Sequence, residues 1–128
     1  MDTLQVGMKH TLEWEVTERY TTTRGEFKVF STPSMCQLAE SAASKLVAPH
    51  LPSDKGQVGI SITIRHMAAT PLGKMVRAEV DLVAIDRRKL SFHIGIFDDV
   101  EQVGEVKHER FIIDLDKYVE KLRKKIKG

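Results

Sequence analysis

"TPSMCQLAESAASKLV", residues 32–47, is the stretch that decides the fold. Met35, Leu38, Ala39, Ala42, Ala43, Leu46 and Val47 recur at i, i+3, i+4 and i+7 and form one apolar stripe. That spacing predicts a helix. Ser31 or Thr32 suits its N-cap, with Thr32 reading most simply as a capping hydroxyl, and Pro33 suits its first turn. Pro49 and Pro52 mark its end. Three alanines on the stripe allow the backbone to come close to whatever it packs against.

The segments around this helix read as strands. Upstream, His10, Leu12, Trp14 and Val16 alternate with Thr11, Glu13 and Glu15, as a half-buried strand requires. Between that strand and the helix, "ERYTTTRGEFKVFS" (18–31) is polar and irregular, a loop with a short extended piece at Val29 and Phe30. Downstream, "QVGISITIRH" (57–66) places Val58, Ile60, Ile62, Ile64 and His66 on one face. Residues 75–85 place Val76, Ala78, Val80, Leu82 and Ala84 on one face. Leu90, Phe92, Ile94 and Ile96 mark a further strand, and the last runs from Val103 to Leu115. Asp114 or Asp116 caps a short amphipathic helix carrying Tyr118, Val119, Leu122 and Ile126.

The order is strand, long helix, then four strands on short turns, which favours antiparallel pairing. A single long helix must cover one apolar face of the sheet. The expected fold is α+β: a five-stranded antiparallel sheet wrapped around one long central helix, with a short C-terminal helix. That is the hotdog architecture, here as one domain over residues 1–128. Such a layer leaves edges and apolar surface open, so pairing into a homodimer or a higher oligomer is expected.

The totals narrow the function. A net charge of +2 does not argue for nucleic acid, and the basic end "KLRKKIKG" (121–128) reads as a solvated helix terminus. Cys36 is the one cysteine, so no internal disulfide forms, which suits a reducing compartment. No secretion signal and no membrane-spanning apolar run is evident. The expectation is a cytoplasmic protein with no nucleic-acid or membrane partner. The five histidines are scattered without metal-ligand spacing, so neither a metal nor another cofactor is expected.

A few residues remain that carry chemistry. His66 points toward the helix just before the turn "MAATPLG", where a sheet end makes a cleft wall. Thr32 sits beside the free N–H groups of a helix start, which favour an anion or a developing oxyanion. Glu40 lies at the margin of the apolar stripe, as a half-buried carboxylate able to act as base or nucleophile. Cys36 reads as packing. Arg110 shares a face with Val106, His108 and Ile112, and a buried arginine needs an anionic partner from the protein or from a ligand.

Taken together, "VFSTPSMCQLAESAASKLVAPHL", "HMAATPLG" and "KHERFIIDLDKYVEKL" resemble the fluoroacetyl-CoA thioesterase family of hotdog proteins, from about Val6 to Leu122. The resemblance implies hydrolysis of an acyl-CoA thioester to carboxylate and CoA by Thr32, Glu40 and His66. It implies that Gly59 and Arg110 help hold substrate, and that the site lies at the boundary of a dimer. The segment between first strand and helix is shorter and more polar here than the aromatic-rich lid of the family's type member, so the resemblance implies the general thioesterase chemistry and does not extend to a fluoroacetyl preference. A non-catalytic acyl or small-ligand binding module on the same scaffold is the alternative.

Overall fold

The computed structural model describes residues 3–128. Its elements run β1 (Lys9–Glu15), β2 (Thr21–Arg24), β3 (Phe27–Phe30), α1 (Thr32–Val47), β4 (Lys55–His66), β5 (Met75–Asp86), β6 (Lys89–Phe97), β7 (Gln102–Asp114) and α2 (Leu115–Lys127). Five strands form one antiparallel sheet in the order β1-β5-β6-β7-β4, which curls around α1. This is the expected hotdog layer.

The stripe on α1 does what its spacing predicts. Met35, Leu38, Ala39, Ala42, Ala43 and Val47 are fully buried against Val76, Ala78, Leu82, Phe92 and Ile96 of the sheet. Close approach needs Gly104 as well as the alanines. A Cβ there would stand 2.5 Å from the Met35 sulfur, inside any real contact. Burying large aliphatic and aromatic side chains stabilises by roughly 1.5–3 kcal/mol each, and these residues are the core of that gain.

Four local features depart from the sequence reading. The stretch 18–31 is not an irregular loop. It forms one 3₁₀ turn at Glu18–Tyr20 and a hairpin of β2 and β3 turning at Gly25, whose φ of 60° is the left-handed region glycine favours. The hairpin is anchored by Phe30 N–H donating to the Thr70 carbonyl at 2.8 Å and by a bridge from Val29 to Pro71. In β4 a bulge between Gly59 and Ser61 shifts the register against β7. Before it, Gln57 and Gly59 face α1; after it, Ile62, Ile64 and His66 do. Val58 and Ile60 therefore do not share the face of His66, and Ile60 is 50% exposed. A second bulge, between Leu82 and Ala84, turns Ala84 outward. Finally, Asp114 occupies the N-cap position of α2 without a capping hydrogen bond. Its carboxylate instead accepts from Arg88 at 3.2 Å and pairs with Lys55 at 2.8 Å, contacts that hold its pKa down at about 2.

No helix among the described residues is long and apolar enough to cross a membrane.

Candidate active site

The N-cap of α1 is Ser31, not Thr32, which is the first helical residue. The Ser31 hydroxyl accepts from the Ser34 N–H at 3.2 Å. The Thr32 hydroxyl is thereby released from capping and lies 2.8 Å from Nδ1 of His66. His66 ends β4, and its corner is tied down on both sides. Met67 N–H donates to the Val103 carbonyl at 2.7 Å. The buried Thr70 hydroxyl donates to Asp98 at 2.8 Å, and Asp98 also accepts from the N–H groups of Val100 and Glu101. Burial pushes the His66 pKa below the usual imidazole value, against a backbone hydrogen bond at Ala68. The ring is therefore neutral at neutral pH and able to take a proton. Thr32 and His66 line a cleft of about 400 Å³ whose outer wall is the hairpin, through Thr22, Arg24, Val29 and Phe30.

A second cluster surrounds Glu40, two turns further along α1. Its Oε1 accepts from the Cys36 thiol at 3.6 Å, and its Oε2 lies 3.8 Å from Nη1 of Arg110. Arg110 is 7% exposed, whereas the Glu40 side chain is 42% exposed, so the carboxylate reaches open space with a cation behind it. The guanidinium is fixed by Nε donating to Gln57 Oε1 at 2.7 Å and by Nη1 at 3.2 Å from Nε2 of His108. Gly59 closes the cluster. A Cβ there would stand 2.8 Å from Glu40 Oε2, 3.2 Å from His108 Cε1 and 3.4 Å from Arg110 Nη1. Glu40 and Arg110 line a cleft of about 580 Å³ along the uncovered side of α1, bounded by Trp14 and Tyr20 stacked at 4.7 Å. Burial first, then the charge of Glu40, push the Cys36 thiol up, so it stays protonated and serves as a donor.

The structure thus gathers four of the five expected site residues into two pairs, Thr32 with His66 and Glu40 with Arg110, and sets Gly59 beside the second. Within one chain the two pairs stay apart: eight residues of helix separate Thr32 from Glu40, about 12 Å along its axis. Cys36, Gln57, His108, Thr70 and Asp98 also serve these clusters. The inward alternation of His108 with Arg110 was visible in the sequence; the roles of Gln57 and Thr70 had no signal there. Among the described residues, no group of three or more His, Cys, Asp or Glu side chains is placed to hold a metal ion.

A curled sheet around one helix, with a hydroxyl–imidazole pair and a cation-backed carboxylate opening onto clefts, defines a hotdog protein of the thioesterase class. The family described as fluoroacetyl-CoA-specific thioesterase matches residues 7–116. The fluoroacetyl-CoA thioesterase of Streptantibioticus cattleyicolor is 37% identical over 98 residues, covering 77% of this chain and 70% of that protein. A solved structure of the fluoroacetyl-CoA thioesterase FlK superposes with a TM-score of 0.88 at 33% identity, over 97% of this chain and 98% of that one. A thioesterase superfamily member from Thermus thermophilus shares the fold, with a TM-score of 0.88 at 23% identity over 99% and 96% of the two chains. This chain belongs to the fluoroacetyl-CoA-specific thioesterase family.

Proposed function

We propose that this protein is a thioester hydrolase that cleaves a small acyl-CoA to the free carboxylate and CoA, with Thr32, Glu40 and His66 as its catalytic residues. The observation that carries this reading is the release of Thr32 from capping duty to bond His66, on the same helix that presents Glu40 against Arg110. The Glu40 carboxylate either attacks the thioester carbonyl or takes a proton from the water that does. Attack forms a tetrahedral oxyanion, which the Thr32 hydroxyl would steady, since Pro33 has no N–H and those of Ser34 and Met35 bond Ser31. Collapse breaks the C–S bond. By the water route, the proton taken by Glu40 passes to the departing thiolate while neutral His66 orients the acyl group. By the direct route, water then opens the acyl–Glu40 anhydride, restoring the carboxylate and giving its proton to neutral His66, which passes it to the thiolate. Arg110 and Gly59 hold substrate beside the carboxylate. The hairpin wall of the His66 cleft sets Thr22 and Arg24 beside Val29 and Phe30.

The two pairs work together in a homodimer. Strand β4 is an outer strand of the sheet, 12 residues long, and among the described residues no strand pairs with its far edge. Such an edge is a template for pairing. A two-fold pairing must keep inward residues opposite inward residues. Antiparallel pairing of two β4 strands centred on Thr63 meets that condition: counted across the bulge, inward His66 falls opposite the partner's Gly59, which borders the carboxylate of Glu40. Each site then combines Thr32 and His66 of one subunit with Glu40 and Arg110 of the other.

Thiol release from short acyl-CoAs tests the activity. Glu40→Ala and His66→Ala are each expected to lower turnover by about 10²–10⁴-fold with the fold intact. Parent-level hydrolysis by either variant contradicts its role. Single-turnover reaction in heavy-oxygen water separates the two routes: label in Glu40 supports direct attack.

A further inference from the structure

His108 is 2% exposed and sits on β7 two residues before Arg110. Its Nδ1 lies 2.8 Å from the Ser61 backbone carbonyl. A carbonyl oxygen only accepts, so Nδ1 carries the hydrogen. In a neutral ring Nε2 is then a lone pair, and among the described residues the donor on it is Nη1 of Arg110 at 3.2 Å. Burial, the Ser61 bond and the neighbouring cation settle the charge between them, with burial prevailing and holding the His108 pKa below the usual value. The charged groups that reach the ring are Arg110 and Glu109 on its own strand and Glu40 from α1. Strand β4 offers the Ser61 carbonyl, and β6 offers the Phe92 ring at 6.0 Å.

The bulge in β4 makes this arrangement possible. It lies opposite Glu109 and Arg110, where Gly59 pairs with Arg110 and Ile62 with His108. Gln57 fixes Nε of the guanidinium and His108 fixes Nη1, the same nitrogen that faces Glu40. Two anchors on a planar group leave it no rotation.

We propose that His108 is a positioning residue for the hydrolysis: as the Nδ1–H tautomer, its Nε2 lone pair sets the Arg110 guanidinium, and through it the Glu40 carboxylate, in the orientation the reaction uses. This rests on the thioesterase reading given above. His108 itself touches no substrate.

Two isosteric replacements separate this role from packing. In His108→Gln the amide oxygen reaches the place of Nε2, keeping an acceptor for Arg110 and giving up Ser61. In His108→Asn the amide N–H reaches the place of Nδ1, keeping Ser61 and giving up Arg110. His108→Gln is expected to retain kcat within a few-fold of the parent. His108→Asn is expected to lose about 10–100-fold in kcat with a smaller change in KM, at melting temperatures close to each other. His108→Asn matching or exceeding His108→Gln overturns the proposal, because a residue that only fills space and satisfies Ser61 gives that order. The parent needs no substitution for a second measurement. Nitrogen-15 spectra of the histidine-labelled protein are expected to show His108 protonated at Nδ1 and bare at Nε2 near neutral pH; the opposite tautomer or a doubly protonated ring overturns the proposal. A parent that releases no thiol from any acyl-CoA sinks the thioesterase reading, and the role of His108 with it. Thiol release by the parent together with the wrong order of variants sinks the role of His108 alone.

Discussion

Replacing Gly59 with alanine separates catalysis from folding at one atom. The new Cβ would lie 2.8 Å from Glu40 Oε2, so the carboxylate must retreat by at least about 0.6 Å to regain the 3.4 Å at which ordinary contact begins. It yields more readily than its neighbours, since it is the end of a half-exposed side chain, while His108 and Arg110 are buried. The backbone tolerates the change, because φ at Gly59 is not positive. Alanine in a strand also costs less chain entropy than glycine, by roughly 0.5–1 kcal/mol. Folding stability is therefore expected to shift by less than about 1 kcal/mol in either direction. Activity responds differently. Misplacing a reacting group by an ångström costs about 100-fold, so a shift of this size, in a carboxylate that must also keep its line to Arg110, costs roughly 10–100-fold in kcat. Thiol release from the preferred acyl-CoA, read beside urea unfolding, provides both numbers. Parent-level kcat with unchanged stability would refute the claim that the Glu40 carboxylate needs the space Gly59 leaves.

Neighbouring residues at the start of α1 should behave oppositely. Ser31→Ala is expected to cost about 1 kcal/mol of stability with turnover little changed, whereas Thr32→Val leaves stability near the parent and lowers turnover roughly 10-fold or more through the lost bond to His66. Denaturant melts and steady-state kinetics on both variants check the split, and a stability loss confined to Thr32→Val reverses the assignment. The His66 pKa is depressed by burial, so the acid limb of kcat/KM is expected below pH 6.5, the free imidazole value; a limb at or above 6.5 contradicts it. The linked contribution to folding has the same sign: the unfolded ring binds its proton first, so stability is complete above pH 6.5 and falls on acidification. Asp114, at about 2 in the fold against 3.8 unfolded, contributes stability above pH 4 that is lost as pH falls toward 2. Asp114→Asn should flatten acid unfolding in that window, and an unchanged acid melt removes Asp114 from the account.

The central helix and the four strands after it were legible because each carries an apolar stripe or alternation in its sequence, even where a bulge in β4 or β5 breaks the buried face. Periodicity reports that pattern directly. The bulge in β4 was hidden by its own residues. Val58, Ile60, Ile62 and Ile64 alternate without a break, and nothing in a β-branched run says where an extra residue enters. That one residue moves Ile60 outward and brings Gly59 and Gln57 to the face of Arg110. The hairpin of β2 and β3 was hidden because Thr21–Arg24 has no apolar side to advertise it; packing of Phe30 and the bond to Thr70 hold it. Ser31 and Thr32 are equally good caps by type, and the choice between them is made in three dimensions, by the ring waiting for Thr32. Asp114 fits a cap by position, but Lys55 of β4 and Arg88 of the turn between β5 and β6 claim it. The site residues themselves were legible as types in place. Their division into two clusters was not, because it depends on how far one helix carries Glu40 from Thr32.

Mixing two inactive variants tests the claim that a site is built from both subunits. Glu40→Ala and His66→Ala, unfolded together and refolded as a mixture, yield dimers of which half carry one chain of each kind. If Glu40 and His66 come from different subunits, each such dimer regains one intact site, and activity returns to about a quarter of the parent's. A mixture as inactive as its two components would contradict the account.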